Sequence, residues 1–430
     1  MHQPAVRHPL GPIMRKLIAV LLFSWLATAS IANPITANAQ RMLNQLGFDA
    51  GPVDGAYGGK TRRALEKFYE SLQLSFDGIL DDNEILELTI ALSNQQAPIL
   101  ITRPILRSSP ECTLNYYSKF DPIQDYHFTE VGIDHDIESI VPRHYTGLGI
   151  AALNSEEKFE QLRSELVAHA KAMSFVNFDQ EISVNRMIQP IIAAYGNNKS
   201  RFEISEQEEI ENWFGEIIDG INRRPETKGL PRLHNITYRN ALNQMLLGSV
   251  TNNQRRIDDA IRVYKNAING MREDGSFPND SQRGGSSLNY QSDATASLVT
   301  IAELAAIRGI DLYSFGGEKT IANAIVFTID ATIDPALISG YARTGPNGNE
   351  LWMDDPLYDW KNPFPGWAKS SRAEFAFYWI SRFPDSDLSQ QLKKLAYVSG
   401  KLRGETNRDW SFDWHVAGSA SCFTSGSRFN

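Results

Sequence analysis

The chain is 430 residues long, 42% of them apolar and 22% charged, with a formal net charge of −9. That is enough apolar content for a large core and too much length for one average domain, so one small and one large domain are expected. A negative chain argues against a general nucleic-acid binder, but residues 222 to 283 hold eleven Lys/Arg against six Asp/Glu, which reads either as a local site for an anionic ligand or as a solvated helix face.

Met14, Arg15 and Lys16 make a short basic start, residues 17 to 29 an apolar run, and Ser30, Ile31 and Ala32 a small-residue end. This is the pattern of a Gram-negative-type signal peptide over residues 1–32, cut after Ala32, with residues 1–13 as an upstream extension before the natural start at Met14. The run is shorter than the roughly 18 to 20 apolar residues of a membrane span, and nothing later approaches that length, so no membrane span is expected in the mature protein. A periplasmic or secreted location follows. Export also bears on the only two cysteines, Cys112 and Cys422: an oxidising compartment favours a disulfide between them, and two unrelated buried thiols are the alternative.

Next comes a glycine-punctuated stretch. Met42, Leu43 and Leu46 stand at helical spacing before a stop at Gly47. Asp54-Gly55 and Gly58-Gly59 make a tight loop, Thr61 reads as the N-cap of a helix that turns Ala64, Leu65 and Phe68 inward, and Asp77-Gly78 leads to a last helix near residues 83 to 92. A three-helix bundle over residues 36–92 results, with no side chain equipped for chemistry. Its pattern of Leu-Gly-Phe, Gly-Pro-Val-Asp-Gly-Ala-Tyr-Gly and Asp-Gly-Ile-Leu resembles the peptidoglycan-binding-like domains of bacterial cell-wall proteins. The resemblance implies a wall-binding module or a small accessory bundle. Residues 93–111, with prolines at 98, 104 and 110, read as a linker, which leaves 112–430 as the large domain.

From about Ile150 onwards helical patterns follow one another with hardly a convincing strand. Phe159, Leu162 and Leu166 begin one; Ile257, Ile261, Tyr264 and Ile268 make another; Leu298, Ile301 and Ala305 lead to a stop at Gly309; Leu388, Leu392, Leu395 and Leu402 run towards Gly404. Further helices are predicted over 183–195, 206–222, 238–251, 318–332 and 370–383. Stacked helix pairs without a fixed sequence period favour an all-α toroid over a solenoid. Aromatic stretches punctuate the helices: NWFGE at 212–216, LWMDDPLYDWKNPFPGW at 351–367 and RDWSFDWH at 408–415. Tryptophans in loops, Trp352, Trp360 and Trp367 among them, either anchor the core or stack on sugar rings.

The order of features from 234 to 290 is distinctive: HNITYRNA at 234–241, RRIDDAIRVYKNAINGM at 255–271, DGSFPND at 274–280, then Arg283 and, seven positions on, Tyr290. It resembles the alginate lyases that cleave polymannuronate, polysaccharide lyase family five and its relatives, in which an Asn-Asn-His-x-Tyr-Trp helix start precedes a Pro-Asn-Glu loop, an arginine and a tyrosine. The resemblance implies an incomplete (α/α) toroid with a deep cleft, preceded here by the small three-helix bundle. It places Asn235, Arg283 and Tyr290 on the family's catalytic asparagine, arginine and tyrosine. The family histidine falls on Ile236, and His234 lies two places earlier. His234, Tyr238 and Arg239, with Trp352, Trp360 and Trp367, are expected to line the substrate cleft.

Such a lyase takes the proton beside a uronate carboxylate and expels the glycosidic oxygen. The carboxylate charge must be offset, by a neutral donor such as Asn235 and a nearby cation. For syn elimination one tyrosine can act as base and then as acid, helped by a cation such as Arg283. Ile236 in place of the histidine predicts a preference for mannuronate over guluronate blocks. No His/Asp/Glu grouping at metal spacing is visible, so no metal and no cofactor is expected. The expected partner is an anionic, alginate-like polysaccharide, with peptidoglycan as a second through residues 36–92. A catalytically inactive polysaccharide-binding protein is the alternative, resting on Ile236. A wall hydrolase comes third, with Asp354, Asp355 and Asp413 as its nearest candidates.

Overall fold

A computed structural model of the chain describes residues 33–71, 76–81, 84–85, 87–88, 91, 121, 125–126, 135–178, 181–223, 233–334, 336–342, 344, 373–395, 398–399, 402 and 414–424. The chain divides into two compact units, Met1–Pro98 and Ile99–Asn430. The expected signal peptide, the linker and Trp352, Trp360 and Trp367 lie outside the described residues, as do Asp354, Asp355 and Asp413.

In the first unit α1 (Pro34–Gln45) opens with Asn33, whose side chain accepts the Ile35 N–H at 2.9 Å, and with a proline where no backbone donor is needed. It stops at Gly47, which takes φ +89° as a helix C-terminus asks. α2 (Gly59–Ser71) follows, and residues 84, 85, 87, 88 and 91 are helical where the third helix is expected. Met42, Leu43, Ala64, Leu65 and Phe68 form the core, with Leu46 against them. Thr61 is not the N-cap: α2 already runs from Gly59, and the Thr61 hydroxyl is buried, accepting from Gln40 Nε2 at 3.2 Å. Gln40 holds the glycine loop, its Oε1 accepting the N–H groups of Asp54 and Gly55 and its Nε2 donating to the Ala56 carbonyl.

The second unit contains α3 (His135–Ala152), α4 (Glu156–Lys171), α5 (Glu181–Asn198), α6 (Ile204–Arg223), α7 (Asn235–Thr251), α8 (Gln254–Gly270), α9 (Pro278–Ser281), α10 (Ser287–Ile307), α11 (Ile321–Ile333), α12 (Ala336–Ala342), α13 (Phe375–Arg382), α14 (Asp387–Leu392) and α15 (Ala420–Thr424). The sheet among the described residues is one parallel pair, β1 (Asp125–Tyr126) with β2 (Asn177–Phe178). α3, α5, α7, α10 and α13 each pack on the next as an inner row, while α4, α6, α8 and α11 back them from outside. The architecture is all-α, an incomplete (α/α) toroid.

Burial follows this division. Outer helices carry one apolar stripe, as Ile257, Ile261, Tyr264 and Ile268 do on α8. Inner helices are buried on nearly every side and carry small and polar residues instead: α10 buries Thr295, Ser297 and Thr300 beside Leu298 and Ile301. Their hydroxyls bond back into the helix, Thr300 Oγ1 donating to the Ala296 carbonyl at 2.8 Å. Where α3 crosses α5 the helices nearly touch, and a Cβ on Gly149 would stand 2.5 Å from the Ala194 Cβ.

Three sequence expectations change. NWFGE does not punctuate the helices: it lies inside α6, where a helix over 206–222 is expected, with Trp213 buried and its Nε1 donating to the Ser174 carbonyl at 2.6 Å. α3 was not anticipated before residue 150; an interior Pro142 and the run His144, Tyr145, Thr146 hide its period. The helix expected through Leu388 and Leu402 breaks after Leu392. Among the described residues no single helix is long and apolar enough to cross a membrane.

Candidate active site

α7 begins at the site. His234 stands just before it in extended backbone, φ −159°, and its Nδ1 accepts the Ile236 N–H at 3.3 Å. Burial, and then the Arg283 charge, pull its pKa down to about 4. The ring is therefore neutral in ordinary buffers, with the proton on Nε2. His234 is 1% exposed and serves as a helix cap. Asn235, by contrast, is the first helical residue and not the cap. Its backbone N–H donates to Asp280 Oδ1 at 2.8 Å, while its side-chain Oδ1 is buried with no hydrogen-bond partner among the described residues.

Tyr238 and Arg239 follow on α7, and both are buried. Tyr238 is buried with its ring 5.6 Å from that of Phe277; burial and the nearby Asp280 hold its phenol well above the usual range. Arg239 is 1% exposed, and its Nη2 lies 3.0 Å from His415 Nε2 and 3.9 Å from Asp293 Oδ2. His415 Nε2 is also 3.5 Å from Asp293 Oδ2. The His415 backbone carbonyl accepts from Thr300 Oγ1 at 3.0 Å, so the C-terminal segment is fastened to α10 beside this charge cluster.

Arg283 and Tyr290 meet. The guanidinium carbon of Arg283 stands 4.2 Å from the centre of the Tyr290 ring, and both side chains are half-buried. The intervening sequence explains the geometry. Gly284 takes φ +56°, Gly284–Ser286 form a 3₁₀ turn, and α10 starts at Ser287, whose Oγ accepts the Arg283 N–H at 2.9 Å. A turn plus the first helical turn bring position 290 back beneath position 283. The loop ahead of them is clamped at both ends. Asn279 Nδ2 donates to the Leu233 carbonyl at 2.6 Å, while Gln291 accepts the Phe277 N–H at 2.8 Å and donates to the Gly275 carbonyl at 3.2 Å.

Sequence reasoning missed Asp280, Asp293 and His415. Asp280 had a signal, since it ends the Pro-Asn-Asp stretch at the place of the family's Pro-Asn-Glu. It is wholly buried, and burial pushes its pKa up to about 8 against the opposing pull of the Asn235 N–H and Arg283. Asp293 lies three residues beyond Tyr290 on α10, whereas His415 is 176 residues from Arg239 and has no local signal.

Among the described residues of the basic segment 222–283, several cations have separate partners. Arg256 forks onto Asp219 at 2.9 and 3.0 Å, Arg272 donates to Ser276 and Ser281, and Lys265 lies over Phe315. An open recess of about 400 Å³ there balances Arg255 and Arg256 against Asp219 and Asp259. Cys422 is disulfide-bonded; Cys112, the other cysteine in the sequence, lies outside the described residues. Among the described residues no group of three or more His, Cys, Asp or Glu side chains is placed to hold a metal ion.

Comparison with known proteins agrees with this layout. Residues 152–338 match the family model described as alginate lyase, and residues 33–85 match that of a putative peptidoglycan binding domain. An alginate lyase of Pseudomonas syringae pv. syringae is 27% identical over 157 residues, 36% of this chain and 40% of its own. One from Pseudomonas aeruginosa (strain LESB58) is 30% identical over 160 residues, 36% and 42% of the two chains. The chain thus spans about two fifths of the length of the curated relatives it matches. Among solved structures, alginate lyase A1-III from Sphingomonas species A1 is similar with a TM-score of 0.55 at 18% identity, over 92% of this chain and 97% of that one. A variant of A1-III with a tyrosine replaced by phenylalanine, complexed with a tetrasaccharide, gives 0.54 at 20% identity over 92% and 97%. These likenesses in structure show the fold. Residues 152–338 are thus similar to the alginate lyase family, and residues 33–85, ahead of them, to putative peptidoglycan binding domains.

Proposed function

We propose that the protein is a polysaccharide lyase that cuts a uronic-acid polymer, alginate with mannuronate blocks favoured, by β-elimination. The observation that carries this reading is the half-buried Arg283 guanidinium stacked 4.2 Å from the Tyr290 ring centre within the alginate lyase domain. In the proposed reaction the Tyr290 oxygen takes the proton from the carbon beside the carboxylate. A carbon–carbon double bond forms as the bond to the glycosidic oxygen breaks, and the same tyrosine returns the proton to that oxygen. Arg283 faces the charge that develops on the ring and beside it. The Asn235 amide is the neutral donor for the uronate carboxylate. Ile236, which offers no donor or base, favours the syn course that Tyr290 can complete alone, and hence mannuronate.

Export by the segment 1–32 to the periplasm or beyond belongs to this reading, with residues 36–92 holding the protein to peptidoglycan. The half-exposed Ile236 also favours a second reading, in which the protein binds polyuronates without cutting them. The test is ultraviolet absorbance of unsaturated uronate with polymannuronate and polyguluronate side by side. A faster rise on polymannuronate supports the lyase. Comparable rates on the two would refute the mannuronate preference, and no rise on either would favour the binding protein.

A further inference from the structure

We propose that Asp280 is a positioning residue for this site: through the Asn235 backbone N–H, its buried carboxyl sets where the Asn235 amide stands relative to Arg283 and Tyr290. The kinetic part of the inference rests on the lyase reading above. The geometry does not.

The first N–H groups of a helix have no partner within it. In α7 two of them are taken by side chains: His234 Nδ1 takes that of Ile236, and Asp280 Oδ1 takes that of Asn235 at 2.8 Å. The two acceptors differ in what they connect. His234 is the neighbouring residue, so its bond is local. Asp280 lies 45 residues away, on α9, three positions before Arg283. The same short helix is tied to the chain just before α7 by Asn279 and to α10 by Gln291, the residue after Tyr290. Asp280 is therefore the side chain that links the backbone of the amide-bearing residue to the loop carrying the cation.

Its surroundings fit this task and little else. The carboxyl is 0% exposed, and its second oxygen, Oδ2, has no hydrogen-bond partner among the described residues. An ionised carboxylate so placed would be costly. Its raised pKa agrees with a neutral acid that keeps Oδ1 as an acceptor at neutral pH. The contact of this carboxyl towards the site is the Asn235 backbone N–H at 2.8 Å, so its influence passes through Asn235.

The experiment compares Asp280→Ala with Asp280→Asn in the full chain. Asparagine keeps an uncharged acceptor at the same place; alanine does not. Asp280→Ala is expected to lower kcat on polymannuronate about tenfold or more, the scale of effect of a displaced catalytic group, with KM within about threefold of the parent, while Asp280→Asn stays close to the parent in both. In parallel, hydrogen exchange at the Asn235 amide should quicken about tenfold or more in Asp280→Ala, the loss of one buried hydrogen bond, and not in Asp280→Asn. If the alanine variant does not fold, Asp280→Ser takes its place as the variant with a shortened acceptor. Parental kcat in Asp280→Ala, or a loss in Asp280→Asn as large as in Asp280→Ala, would overturn the proposal. A parent inactive on every polyuronate would refute the lyase reading instead; the exchange comparison then decides the positioning, with unchanged exchange overturning it.

Discussion

Gly275→Ala tests how the loop ahead of Arg283 is held. Gly275 has φ +91°, and a Cβ there would stand 2.1 Å from the Asn323 carbonyl oxygen and 2.4 Å from its carbon, both backbone atoms at the start of α11. A side chain at positive φ costs about 1–2 kcal/mol, and forcing a methyl into filled space costs about 1–3 kcal/mol more, since backbone cannot swing aside as a side chain can. A loss of roughly 2–5 kcal/mol corresponds to a melting point lower by about 3–7 °C in a domain of this size. Gly309→Ala is the matched control: its φ is +82°, but nothing lies within 4 Å of its added Cβ, so it carries the strain without the clash. Scanning calorimetry of both variants separates the two contributions. The Gly275 carbonyl also accepts from Gln291, beside Tyr290, so lyase rate should fall in Gly275→Ala and hold in Gly309→Ala. Equal melting points for the two variants would refute the reasoning.

Three further predictions concern buried charge and the histidine departure. Asp280 keeps its proton up to about pH 8 when folded, while an unfolded aspartate loses it near its ordinary value of 3.8. Folding thus takes up a proton between those limits, and this contribution to stability is full below about pH 4 and falls by up to about 1.4 kcal/mol per pH unit towards pH 8. Asp280→Asn has no such proton, so its urea midpoint relative to the parent should rise from pH 5 to pH 8; parallel curves would contradict this. His415→Phe removes the partner 3.0 Å from Arg239 and should cost about 1–3 kcal/mol in urea unfolding, whereas His415→Gln, which retains an acceptor, should cost less. Ile236→His restores an imidazole at the family position and should raise the rate on polyguluronate relative to polymannuronate about tenfold or more, the lower range of a general base; an unchanged ratio would count against the assigned role of that position.

Legibility in the sequence followed physical locality. α8 announces itself because an outer helix buries one stripe, and Ile257, Ile261, Tyr264 and Ile268 recur at that spacing. α3 does not, since an inner helix buried nearly all round has no polar face to mark its period, and Pro142 reads as a breaker. Asn235, Arg283 and Tyr290 are singled out by spacing and by the family resemblance, and the structure brings the last two into contact. For Tyr238, Arg239 and His234 helix numbering gives a face but not what covers it. Each is covered or paired by residues far along the chain: Phe277, His415 and Asp293, and the burial around α7. Thr61 was misread for a related reason, as its hydroxyl serves Gln40 across the bundle and not the end of its own helix.

The most direct test of the central claim is the absorbance of unsaturated uronate formed from polymannuronate by the parent and by Tyr290→Phe at matched protein concentration. Phenylalanine keeps the ring that Arg283 stacks on and removes only the oxygen that would carry the proton. The account predicts a steady rise with the parent and a loss of about a hundredfold or more in the variant, the lower range for removing a general acid–base group, with oligomannuronate binding retained. A variant that cuts as fast as the parent would contradict it.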